Sequence, residues 1–166
     1  MTSTAANPAR SRAAPRPEEQ AGFAELRAAN INPRTGLATD YLNHFNEAIM
    51  LLEMIPDIPE CAEDFLVWRP LSYAEHFTAS SFKARDLAIA TYQSADARIR
   101  AEFDSITDAM TAILTAVGAA MREARQERTR ARLAEQATTW VKPLVMQAGA
   151  IINGAAEADI EYIMTH

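Results

Sequence analysis

One cysteine, Cys61, stands in the 166 residues, so no disulfide can close within the chain and a secreted, disulfide-stapled scaffold is excluded. Glycine is nearly as scarce, at five residues. There is no Gly-x-Gly-x-x-Gly loop, no Walker sequence and no Gly-x-Ser-x-Gly elbow, and His-Glu-x-x-His and Cys-x-x-Cys are missing as well. The most apolar run, Ile106 to Met121, is broken by Thr107, Asp108, Thr111 and Thr115 and falls short of a membrane span. Thr2 to Gln20 lacks the apolar centre of a signal peptide, which makes the cytoplasm the expected location. Between Thr35 and Trp68 there is no lysine or arginine at all, against seven acids. Such a tract repels a phosphate backbone and argues against a nucleic-acid partner.

What the chain does contain favours helix. Hydrophobic residues make up 49% of it, and Ala, Leu, Met and Glu recur, side chains that lose little entropy in a helix. The formal net charge is −6. Residues 1–17 are rich in Ala, Ser, Thr, Pro and Arg without large apolar anchors, and read as a flexible N-terminal arm. The expectation for residues 18–166 is a single all-α domain, a compact helical bundle of four or more helices with short proline-containing connections.

Periodicity places the helices. A short one is expected from Pro17 through Phe23 and Leu26, then a turn over Asn30–Gly36. From Leu37 to Ile55, the residues Leu37, Tyr41, Phe45, Ala48, Leu52 and Ile55 share one face, and Pro56 and Pro59 end the helix. A short helix from Glu60 to Val67 follows, with Phe65 and Trp68 as anchors. Ser72 and Glu75 have the spacing of a capping box and open a helix to about Ala84, with a boundary or kink at Ser80–Ser81 and a further segment from Ala84 to Ala90. The strongest stripe is Ile99, Phe103, Ile106, Met110, Ile113, Leu114, Val117 and Met121. A last helix from Thr129 carries Leu133, Ala137, Trp140, Val141, Leu144, Ala148, Ile151 and Ile152 in phase, with Pro143 off the stripe and turns over Asp159–Met164 beyond it.

Chemistry, if present, would centre on two of the three histidines. His44 has Asp40 one turn before it and Glu47 three positions after, so an imidazole and two carboxylates can reach one groove. His76 lies beside Glu75 on a second helix, and Glu102 flanks the long stripe on a third. His44, Glu47, His76 and Glu102, with Glu75, form the candidate ligand set for iron, manganese or zinc in a bundle site. The pattern departs from paired Glu-x-x-His motifs, since His44 precedes its carboxylate and Glu75 and His76, as neighbours, point about 100° apart. The plainer alternative for His44 is a helix-edge histidine bonded locally. A phosphotransfer role for His76 would want a nearby cation, and Lys83 is two turns away. Cys61, among Glu60, Glu63 and Asp64 and with no histidine partner in the pattern, reads as an inert thiol. Tyr41, Phe45, Phe103 and Met110 could instead line a cavity for a small ligand.

Five arginines, Arg122, Arg125, Arg128, Arg130 and Arg132, are interleaved with Glu123 and Glu127. Nucleic-acid grooves want cations without such acids, so a solvated face or an acidic protein surface, including the chain's own Asp40–Asp64 tract, is the better match. The functional expectation is a noncatalytic helical protein-interaction or regulatory protein, self-associating as a homodimer because its long stripes call for more cover than one chain supplies. The alternative is a metal- or small-molecule-binding bundle with oxidoreductase or hydrolytic activity.

Overall fold

The computed structural model describes residues 17–154. Among them are seven α-helices and no β-strand, packed as a compact all-α bundle. The expected arm and the turns over Asp159–Met164 lie outside the described residues, apart from Pro17, which opens the first helix, α1 (Pro17–Ala28).

After α1 the chain turns through Asn30, at φ 58°, and Gly36, at φ 73°. Between them the backbone doubles back: the Asn32 N–H donates to the Leu37 carbonyl, and Ile31 and Ala38 form an isolated antiparallel bridge. This pairing corrects the expectation of a helix beginning at Leu37. Leu37 and Ala38 are buried but extended, a 3-10 turn spans Thr39–Tyr41, and α2 runs Leu42–Met54. The expected apolar face does turn inward: Leu37, Tyr41, Phe45, Ala48, Leu52 and Ile55 are all buried.

Helix α3 (Cys61–Val67) follows the two prolines, and α4 (Tyr73–Ala79) opens on the expected capping box. Ser72 Oγ accepts from the Glu75 N–H while Glu75 Oε1 accepts from the Ser72 N–H. Helix α4 stops at Ala79, short of Ala84. The Ser80 hydroxyl donates to the Phe77 carbonyl and accepts from the Phe82 N–H, a local alternative to the helical ladder. Helix α5 (Arg85–Gln93) comes next, three residues longer at its end than the pattern suggested.

The two long helices are α6 (Ala97–Glu123), capped by the Asp96 carboxylate on the Arg98 and Ile99 N–H groups, and α7 (Glu127–Ile152). At 27 and 26 residues each is about 40 Å long. They form an antiparallel hairpin, and Arg130 closes its tip by donating from Nε to the Met121 and Ala124 carbonyls. Pro143 sits inside α7, where an interior proline disfavours helix by roughly 3 kcal/mol. The helix continues through it because Ala137, Val141 and Ala148, on both sides, are fully buried. Trp140 departs from the expected stripe: it is 50% exposed, whereas Val141 beside it faces the core. Helix α7 ends at Ile152, and Gly154, two residues on, stands at φ 76°.

Helix α2 lies antiparallel on α7. Leu42 packs at Gly149, and the Glu53 and Lys142 side chains pair toward the other end. Helix α3 bridges α2 and α6, with Arg122 Nη2 bonded to the Leu66 carbonyl at 3.0 Å. The core is one continuous cluster in which Phe45, Phe77, Phe103, Met110, Leu114, Met121, Val141 and Ile152 are fully buried or nearly so.

The doubled-back loop sits tightly on the end of α5. A Cβ at Gly36 would lie 2.8 Å from the Thr91 carbonyl oxygen, and the positive φ adds strain of its own. Gly36→Ala should therefore lose about 1–3 kcal/mol of stability. Gly22→Ala, in α1 with nothing within 4 Å of the added methyl, should gain about 0.5–1 kcal/mol. Denaturant midpoints of the two variants check the contrast in sign.

Candidate functional site

The two central histidines do meet. Their ring centroids are 5.9 Å apart, inside an aromatic cluster built from the start of α2, the α3–α4 connection, and helices α4, α5 and α6. What brings them together is a set of bonds between two short stretches, 38–44 and 68–76. The Ala38 N–H donates to Tyr73 Oη at 2.9 Å, Asp40 Oδ2 lies 2.9 Å from His76 Nε2, and Tyr41 Oη donates to the Leu71 carbonyl at 2.6 Å. His44 Nε2 accepts the Leu71 N–H at 2.9 Å, and Trp68 Nε1 donates to the His44 carbonyl at 3.2 Å. The Trp68 indole also stacks on the His44 ring, with centroids 4.6 Å apart and planes 25° from parallel.

These bonds assign protons. A ring nitrogen that accepts a backbone N–H presents its lone pair, so His44 is the neutral tautomer protonated at Nδ1. Burial, and then the neighbouring His76, lower its pKa from 6.5 to about 4. A carboxylate can only accept, so in the Asp40–His76 pair Nε2 carries the proton. Around them the phenols are held protonated. Tyr41 is raised above its ordinary value by burial and by the charges of Asp104, Asp108 and Glu75, and Tyr73 is pushed up to about 12, chiefly by burial. Tyr92 is raised by burial and by its own 2.5 Å bond to Asp104 Oδ1, and it stacks on Tyr73 with centroids 4.4 Å apart.

The carboxylates of the candidate ligand set stand elsewhere. Glu47 is exposed on α2. Glu75 is exposed and committed to the capping box, where the Ser72 backbone and then the Ser72 side chain hold its pKa below the ordinary value. Glu102 is exposed on α6 and pairs with Arg98 at 3.4 Å. Among the described residues no group of three His, Cys, Asp or Glu side chains is arranged to hold a metal ion. His44 and His76 thus converge without Glu47 or Glu102, and the lone pair His44 would offer a metal is already taken by Leu71.

Other candidates also find their places. Cys61 is buried in the first turn of α3. Lys83 lies with Glu25 on the wall of a separate groove. Tyr41, Phe45, Phe103 and Met110 are all core residues, and the Tyr41 ring centroid lies 5.2 Å from that of Phe45 and 6.2 Å from that of Phe103. In the arginine cluster Arg130 pairs with Glu63 at 3.1 Å, so one link to the chain's own acidic tract is intramolecular, and Arg125, Arg128 and Arg132 are exposed. The sequence reading missed the Asp40–His76 pairing, the Tyr92–Asp104 bond and the role of Leu71. Asp40 and His76 are 36 positions apart, and a backbone N–H leaves no mark in residue identity.

No helix among the described residues is long and apolar enough to cross a membrane. Comparison with protein-family models, curated proteins and solved structures gave no match.

Two outcomes follow for His44. Its folded pKa lies below its unfolded one, so the stability that depends on the neutral ring is present above about pH 6.5 and declines as the pH falls toward about 4. His44→Ala leaves the Leu71 N–H without its acceptor and should lower stability at neutral pH by about 1–3 kcal/mol. The variant should also flatten the stability profile between those two pH values. Urea titrations across that range test both effects. A variant with an unchanged slope would show that His44 does not titrate as its surroundings require.

Proposed function

We propose that this chain is a noncatalytic, cytoplasmic helical protein-interaction module of the regulatory kind, working as a homodimer. The observation that carries the proposal is the outward face of α2. Met50 is 53% exposed and Met54 37%, and Ile58, at the same four-residue spacing across the following turn, is 45% exposed. Met146 on the adjoining α7, also 53% exposed, lies one turn from the Lys142 that pairs with Glu53. Large side chains left in water along one edge mark a contact surface, and methionine adapts its shape to a partner at little cost.

The state of the histidine cluster supports the same reading. Nε2 of His44 and of His76 and the Tyr41 and Tyr92 hydroxyls are engaged in bonds that hold the fold, and no buried side-chain polar atom among the described residues lacks a partner. Groups used in this way are poorly placed to move protons to a substrate.

A second reading, binding of a small ligand, draws on an open groove of about 500 Å³ between α1 and the α4–α5 connection. Its apolar floor is Ala28, Ala29, Phe82 and Leu87, with Glu25 and Lys83 at the rim. That volume is in the range of small-molecule sites, and the mixed rim suits an apolar molecule with a polar end.

Sedimentation decides between them. The full chain should run as a dimer at micromolar concentration, and Met54→Asp with Ile58→Asp should weaken the dimer at least about tenfold without changing the helical circular dichroism. A chain that is monomeric throughout that range would remove the homodimer and leave the groove as the better reading.

A further inference from the structure

Gly118 is buried in the interior of α6, where glycine is the least favourable residue after proline. Packing does not require it. A Cβ there would meet, among the described residues, nothing nearer than Arg122 Nη1 at 3.7 Å and Phe65 Cε1 at 3.9 Å, both ordinary contacts. Its backbone is helical, a conformation that alanine prefers. What the missing methyl leaves is space. Gly118, Phe65 and Arg122 stand on the wall of one pocket of about 120 Å³, between the end of α3, the connection to α4 and α6.

The chemistry of this pocket is divided. Trp68, Pro70 and Leu114 join Phe65 as apolar wall, while Arg69 and Arg122 bring two guanidinium groups and Thr115 a hydroxyl. Among the described residues the lining contains no carboxylate. Arg122 is held from behind: its Nη2 donates to the Leu66 carbonyl at 3.0 Å, and its Nη1 is the atom nearest the vacant Cβ position of Gly118. A guanidinium fixed in this way has less orientation to lose on meeting an anion.

We propose that this pocket binds a short-chain aliphatic carboxylate and that Gly118 keeps it open. Size sets the length of the ligand. A cavity of about 150 Å³ holds the six carbons of benzene, so this one takes about five non-hydrogen atoms, the number in propionate. The divided wall sets its class. Carboxylate oxygens match the planar donors of arginine, and the alkyl end lies against the apolar wall. Inorganic phosphate is as small, but it carries oxygens on every side and would bury some of them against Phe65 and Leu114 without a donor. The pocket shares no residue with the Met50–Ile58 edge, so ligand binding here does not depend on dimerisation through that edge.

The test titrates the full chain with sodium propionate at constant ionic strength and follows the Gly118 amide and the Trp68 indole N–H in ¹⁵N spectra. Both signals should move saturably, with a dissociation constant on the order of 1 mM, which five atoms can supply. Inorganic phosphate should bind at least about tenfold more weakly. Gly118→Ala should weaken propionate binding about tenfold or more while leaving the helical circular dichroism intact and raising the urea midpoint, which separates loss of the pocket from loss of the fold. Arg69→Gln, on an exposed side chain, should weaken binding as well. Undiminished binding by Gly118→Ala would overturn the proposal. So would phosphate binding more tightly than propionate, or shifts that rise without saturation and equally with chloride.

Discussion

Both backbone polar groups of Leu71 are held from one turn of the chain at the start of α2: its N–H by His44 Nε2, its carbonyl by Tyr41 Oη. The connection between α3 and α4 runs over the buried Tyr41, His44 and Tyr73 rings with Trp68 and Leu71 half-buried, and a backbone N–H or carbonyl partly withdrawn from water costs free energy when left unmet. Tyr41 and His44 are three residues apart, so they project from the same side of the chain at the start of α2 and reach the two backbone groups of one residue. Asp40 and Ala38 extend the clasp to His76 and Tyr73. Five polar contacts thus tie a stretch of seven residues to one of nine, and the positions of α3, α4 and the aromatic cluster depend on them.

That arrangement explains why, among the described residues, the two histidines meet without joining a group of three side chains arranged to hold a metal ion. Proximity of donors is insufficient; each must turn an unshared lone pair toward a common point. His44 turns Nε2 to a backbone N–H, and His76 turns Nε2 to a carboxylate that orients it. The carboxylates that could complete a coordination sphere project from outer faces of α2, α4 and α6, where solvent, a capping box and an arginine hold them. Charge on the rest of the molecule follows a similar logic: Arg122, Arg130 and Arg34 each reach a backbone carbonyl at a helix end, so several cations that suggest binding in the sequence serve as helix caps.

Helical periodicity and cap chemistry were readable one residue at a time. The stripe from Ile99 to Met121, the Ser72–Glu75 box and the interruption at Ser80 all depend on neighbours within four positions, and these were located to within a few residues. The boundary at Leu37 failed because an apolar period cannot distinguish a buried extended residue from a helical one. Trp140 failed for a related reason: it lies 100° from Val141 and at the edge of the α7 stripe, and only the packing of α2 and α6 decides which edge is covered. For the histidines, the sequence put His44 and Asp40 one turn apart but could not say that Asp40 would turn to His76.

By itself, then, the sequence determined the helical class, the run of the long helices and the apolar face each turns inward, since side-chain entropy, capping and hydrophobic period act locally. Tertiary structure alone decided the convergence of His44 and His76, the lowered pKa of His44, the exposure of Met50, Met54 and Ile58, and the two-arginine pocket between α3 and α6. Each of these rests on groups tens of residues apart whose distance is set by how the helices cross, and on backbone N–H and carbonyl groups that every residue type carries alike.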